Sequence, residues 1–148
     1  MKFIADVHLG KLAKLLRMLG FDVVYNHSLS NKELLLNAMN ESRILLSKNN
    51  AFKNNKSIQC FILTSENPEI QLQEALIHFN LKEKINPFTK CMVCNGGLHA
   101  VTKDAIVNQL QANTKHYFNE FWQCDNCKRI YWKGSHYERM MKFIEKLQ

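Results

Sequence analysis

Residues 2–86 predict an α/β fold, a parallel sheet flanked by helices, and residues 87–148 predict a small cysteine-stapled ribbon behind it. Three observations carry this reading. Short apolar runs alternate with helix-period segments through the first part, which is the pattern of βαβ units. Composition shifts at Asn86-Pro87-Phe88, where a boundary between a domain of residues 1–86 and one of residues 87–148 is expected. Two Cys-x-x-Cys pairs then follow, in a stretch too short to fold on apolar burial alone.

The elements follow in chain order. Lys2 to Asp6 reads as the first strand. Leu9, Leu12, Leu15, Leu16 and Leu19 fall on one helical face, with Lys11, Lys14 and Arg17 away from it, and Gly20 stands where a C-terminal cap belongs. Phe21 to Tyr25 returns as a strand. Ser30-Asn31-Lys32-Glu33 has capping-box spacing and opens a helix carrying Leu34, Leu35, Ala38 and Met39. Arg43 to Ser47 and Ile58 to Leu63 are two more strands, separated by an Asn- and Lys-rich loop over 49–56. Asn67-Pro68 marks a helix start, and Leu72, Ala75, Leu76 and Phe79 form its apolar stripe. Beyond the boundary a helix is expected over 103–111, then two aromatic strands. A last helix, opened by the capping-box spacing Ser135 to Glu138, buries Tyr137, Met140, Met141 and Ile144.

Cys91, Cys94, Cys124 and Cys127 are the residue type and spacing for one tetrahedral Zn²⁺, because each Cys-x-x-Cys turn delivers two thiolates without strain. The 29 residues between the pairs leave room for an inserted helix. Four protein ligands close the shell, so this zinc is expected to be structural. Cys60, alone in an apolar run, reads as a small core residue. Thiols used for metal suit a reducing compartment. No stretch approaches the roughly 18 apolar residues of a membrane span, and Asp6, Lys11 and Lys14 stand where a signal peptide would be apolar. A cytoplasmic protein without a membrane partner is the expectation.

Lys and Arg number 20 against 13 Asp and Glu, a formal charge of +7 that suits an anionic partner, nucleic acid first. Acidic residues at the carboxyl ends of parallel strands sit where ligands bind in α/β sheets. Asp6 ends the first strand, Glu33 begins the second helix, Asn49 follows the third strand and Glu66 the fourth. Converging on one rim, they could hold Mg²⁺ or Mn²⁺ for phosphodiester hydrolysis. Each also has a plainer role: Glu33 as the reciprocal partner of Ser30, Glu66 at a helix N-terminus, Asp6 bonded to the amides of the following helix. Lys11 and Arg17 on the first helix read as a solvated face or as phosphate contacts. Lys133, His136 and Arg139 lie among Tyr131, Trp132 and Tyr137, a mixture that either grips single-stranded RNA or packs the ribbon.

Several of these stretches together carry a resemblance. Asp6-Val7-His8-Leu9-Gly10-Lys11-Leu12-Ala13, Leu16-Arg17-Met18-Leu19-Gly20-Phe21-Asp22, Arg43-Ile44-Leu45-Leu46 and Tyr131-Trp132-Lys133-Gly134-Ser135-His136-Tyr137-Glu138-Arg139-Met140 resemble the mutator-seven C-terminal RNase domain family. That family is similar to PIN-type nucleases with a zinc ribbon appended. The resemblance implies divalent-metal-dependent cleavage of RNA, with Asp6 as the first acidic ligand and Glu33 as the helix-start acid. Lys11, Arg17, Lys48, Lys133, His136 and Arg139 are the expected RNA contacts. Leu46-Ser47-Lys48-Asn49 departs from the Thr-Arg-Asp that usually ends this strand, so an amide replaces an acid and cation affinity should fall. One charge, Glu66, stands where an acidic pair is common. The alternative is an RNA- or ribonucleoprotein-binding protein that no longer cleaves.

Overall fold

A computed structural model describes residues 1–147. Four parallel strands, β1 (Lys2–Ala5), β2 (Asp22–Val24), β3 (Ile44–Ser47) and β4 (Cys60–Ile62), lie in the order β2-β1-β3-β4. Helix α1 (Gly10–Met18) returns β1 to β2, and α2 (Asn31–Asn40) carries the chain across to β3 on the other side of β1. The sheet is therefore doubly wound, with its switch point between the carboxyl ends of β1 and β3. Central strands β1 and β3 are almost wholly buried, as a sheet covered on both faces requires.

Two apolar clusters lie on the two faces. One gathers Phe3, Leu12, Leu16, Leu19, Leu72 and Leu76, from β1, α1, the residue that ends α1 and α3 (Pro68–His78). The other joins Ile4 and Leu45 to Leu34 and Ala38 of α2 and to Phe52. Phe52 belongs to a 3₁₀ turn, Asn50–Phe52, inside the stretch expected to be a solvated loop. Its ring is what a loop of polar neighbours has to offer the α2 face, and burying it orders the turn. Cys60 is only half-buried because β4 is an edge strand, and Met39 points to solvent.

The helix ends follow local chemistry. Ser30 Oγ accepts from Glu33 N and donates to Glu33 Oε1, and Asn67 Oδ1 accepts from the amides of Glu69 and Ile70 ahead of Pro68. Gly20, at φ +95°, ends α1 in the left-handed region, and a Cβ there would collide with the Asn86 carbonyl oxygen.

Beyond residue 86 an antiparallel sheet, β5 (Leu98–Val101), β6 (Phe121–Cys124) and β7 (Ile130–Tyr131), forms the ribbon. The helix expected over 103–111 is instead a short α4 (Lys103–Ile106), a 3₁₀ turn at Val107–Gln109, and a separate α5 (Ala112–Tyr117). Val107 and Asn108 favour helix poorly, and no tertiary stripe compensates. Helix α6 (Ser135–Glu145) begins one residue earlier than its capping-box spacing implies. Gly134 is the N-cap, its carbonyl accepts from Glu138 N, and no side chain caps the helix. Met140, Ile144 and Leu147 enter the α1–α3 cluster on the main sheet, while Tyr137 and Met141 are half-buried.

Candidate functional site

The cysteine cluster assembles from two similar turns. Asn95 N donates to Cys91 O and Lys128 N to Cys124 O, and both donors sit four residues past the first cysteine at φ +67°. Cys91 Sγ lies 3.6 Å from Cys127 Sγ and Cys94 Sγ 3.5 Å from Cys124 Sγ, with all four ligand atoms within 4.8 Å of one another. Tetrahedral sulfur around zinc at about 2.3 Å requires edges of about 3.8 Å. The donor set and spacing therefore fit a Zn²⁺ ion, and the cysteines are free rather than bridged. The amides of Asn126 and Cys127 approach Cys124 Sγ at 3.4 Å, where they stabilise thiolate charge. Tyr131 Oη accepts from Met92 N at 3.1 Å and lies 2.9 Å from Cys91 Sγ, to which it donates when the sulfur is a thiolate. Burial, then the contact with Cys91, pushes the Tyr131 hydroxyl above its ordinary range, so the proton stays available to the sulfur.

The carboxyl rim is differently organised. Asp6, 5 % exposed, sits at the switch point, where Oδ1 accepts from His8 N at 2.8 Å and Oδ2 from Ser47 Oγ at 2.5 Å. Ser47 is fully buried, and its Oγ also accepts from Asn49 N at 3.0 Å. Asp6, Ser47 and Asn49 thus form one hydrogen-bonded chain across the ends of β1 and β3. Asn49 Oδ1 accepts from Ala51 N and caps the 3₁₀ turn. Glu33 is exposed and bonded to Ser30. Glu66 is exposed and ion-paired to Lys48. Among the described residues the cysteine cluster is the one group of three or more potential ligands at cation-ligand spacing, so Asp6 belongs to no such group. A divalent cation at this rim would have one or two carboxylates and water on its remaining positions, a donor set of the kind Mg²⁺ accepts. Burial, then the Asp6 charge, pushes the Cys60 thiol up to about 11, which keeps it inert behind this rim.

The expected RNA contacts divide. Lys11, His136 and Arg139, together with Lys14, line one cleft of about 500 Å³. Asn67, the N-cap of α3, and Glu69 in its first turn close it, so the cleft meets the segment that follows Glu66, while Asp6 is not among its lining residues. Lys133 lies elsewhere, paired to Glu120 at 3.3 Å and 5.9 Å above the Trp122 ring. Arg17 corrects an expectation. It is 4 % exposed, its Nε donates to Val23 O at 3.0 Å, and its Nη1 donates to Met92 O and Val93 O at 3.0 and 3.2 Å. With Nε and Nη1 taken by three carbonyls, this guanidinium serves the fold first, although it also lines the wall of a shallow cleft with Lys11, Lys14 and His27.

Sequence reasoning missed Ser47 as a site residue, although a serine closing an otherwise apolar strand was the available signal. It also missed Asn95. That side chain donates to Asp22 Oδ1 at 2.8 Å and accepts from Val23 N at 3.1 Å, and nothing in its spacing foretold it.

A family model described as the Mut7-C RNAse domain matches residues 1–144. Neither a curated protein nor a solved structure matches the chain to a significant degree.

Proposed function

We propose that this chain, which belongs to the Mut7-C RNAse domain family, is a ribonuclease whose chemistry is centred on Asp6. The observation that carries the reading is a carboxylate held nearly out of solvent at the switch point of a doubly wound sheet, in a chain whose α1, α3 start and α6 line a cleft with three cations. A buried acid with no cation partner costs stability and is retained where charge is needed. Bound at this rim, Mg²⁺ or Mn²⁺ would neutralise phosphate charge and activate a water.

Asp6 is the anchoring ligand, and Ser47 and the His8 amide fix its two oxygens. Glu33 and Glu66 are outer acids on exposed side chains, and the amide of Asn49 leaves the rim one charge short. Lys11, Lys14 and Arg139 hold the RNA backbone. Zn²⁺ on the four cysteines is structural, because no ligand position remains for substrate. Thiols so used, and the absence among the described residues of a helix long and apolar enough to cross a membrane, accord with a cytoplasmic site of action.

Two contacts favour the second reading, a protein that binds RNA without cutting it: Asn49 is engaged as a cap, and Lys48 occupies Glu66. The test is incubation of purified protein with single-stranded and structured RNA in Mn²⁺, beside Asp6→Asn and Asn49→Asp. Cleavage should fall at least about 100-fold in Asp6→Asn and rise in Asn49→Asp. Retention of RNA with no cleavage by either the parent or Asn49→Asp would leave the binding reading alone standing.

A further inference from the structure

We infer that the seam between Phe88, the ribbon and the start of α6 is a nucleobase subsite, taking one unstacked base of a single-stranded RNA while the adjoining cleft holds its phosphates. The inference rests on the ribonuclease reading and gives that reading a form of substrate.

A cavity of about 280 Å³ opens at the seam, walled by Phe88, Tyr131, Trp132 and Tyr137, with Lys90 and His136 as polar lining groups. Its size is near the small end for ligand pockets, which suits one heterocycle. Met92 and His136 line both this cavity and the cleft of Lys11, Lys14 and Arg139. An aromatic slot therefore meets a cationic channel at two shared side chains. That pairing is what a single strand can use, since any base has a face to stack and every phosphate a charge to place. Bases inside a duplex are already stacked and cannot enter without being extruded.

The slot is built before a ligand arrives. Phe88 has φ +62°, a left-handed backbone that a bulky residue rarely adopts, and its ring stacks on Trp122 at 3.9 Å and meets Tyr137 at 5.0 Å. Tyr131 is fixed through its hydroxyl to Cys91 and Met92. Rigid walls reduce the ordering that binding would otherwise require. In the channel three cations, Lys11, Lys14 and Arg139, face one acid, Glu69. Among the described residues none of the three cations is engaged in an ion pair.

The experiment uses the zinc-loaded full chain carrying Asp6→Asn, so that RNA stays intact. Anisotropy compares a short single-stranded oligoribonucleotide, the same backbone with abasic riboses, and a blunt RNA duplex. The abasic strand and the duplex should each bind roughly ten-fold or more weaker than the intact strand. Ser135→Trp, which fills the slot from its rim, should lose a similar factor on the intact strand and nothing further on the abasic one. Lys11→Ala/Lys14→Ala should weaken both single strands alike and flatten the salt slope by roughly 1.4. Equal binding of intact and abasic strands by the parent overturns the subsite, and this comparison decides even where Ser135→Trp fails to hold zinc. RNA cleavage by the unsubstituted protein together with that result removes the subsite and leaves the ribonuclease reading. No binding of any RNA overturns the subsite, and with no cleavage the ribonuclease reading falls as well. Tight binding of an apolar peptide in the slot with no base dependence assigns the slot to a protein partner and overturns the inference.

Discussion

At the scale of single residues, charge is placed where it holds the chain together as often as where it could meet a ligand. Arg17 is read from sequence as one of three cations on a helix face, and only the fold shows that it leaves that face for the interior. Arg17→Met keeps the length and the apolar stem but strands Val23 O, Met92 O and Val93 O, so a loss of about 3 kcal/mol is expected in denaturant titration. The salt slope of RNA binding should not move, whereas a phosphate-binding arginine would change it by about 0.7 on a single strand. Asp22 makes a second such pairing, with Arg43 Nη1 at 2.7 Å and Asn95 Nδ2 at 2.8 Å. Burial works against its charge, but the hydrogen bonds from Arg43 and Asn95 outweigh that and hold the carboxyl below its ordinary range. A depressed folded value means the contribution is complete above about pH 4 and is lost as pH falls through the folded value. Asp22→Asn should therefore lower the melting temperature at pH 7 and flatten its dependence on pH below 4, and an unchanged acid limb would refute the assignment.

Among the elements, the informative contact is between an edge strand and a metal knuckle. Strand β2 lies at one edge of the main sheet, and both backbone groups of Val23 are taken there by side chains: Arg17 Nε donates to its carbonyl and Asn95 Oδ1 accepts from its amide. Unpaired edges invite association with other chains, and here the first Cys-x-x-Cys turn supplies the cover. Removing zinc should free Asn95, whose position past Cys94 depends on the turn. Val23 amide exchange should then quicken at least roughly ten-fold, while Ile4 in the centre of the sheet is unaffected. Equal protection of Val23 with and without metal would show that the knuckle holds its shape by packing alone. The strands, α1 to α3 and the cysteine quartet were legible because each rests on a local period, a cap or a fixed spacing. Phe52 and the broken helix over 103–117 were not, since burial of one ring and absence of an apolar stripe are facts of tertiary context. The rim was half legible: Asp6 by its place at a strand end, but not Ser47, whose hydroxyl matters through a partner 41 residues away.

Across the whole molecule, the shift of composition at residue 86 poses a question of folding that the contacts sharpen. Met140, Ile144 and Leu147 lie after the ribbon in sequence yet pack with Leu12, Leu16 and Leu76, and Lys82 Nζ donates to Leu147 O at 2.5 Å. Burying three such side chains is worth roughly 4–9 kcal/mol, comparable with the whole stability of an ordinary domain. To this the residues after 86 add the acceptors of Arg17 and the cover over Val23. Residues 1–86 produced alone should accordingly lack a cooperative thermal transition and expose apolar surface to dye. Adding residues 87–148 with zinc should restore a single transition and recover RNA binding, because the cleft takes Lys11 and Lys14 from α1 and His136 and Arg139 from α6. The site and the core thus depend on the same closure of the chain. A fragment of residues 1–86 that melts cooperatively within a few degrees of the full chain would show two independent folding units and would remove this link between stability and RNA recognition.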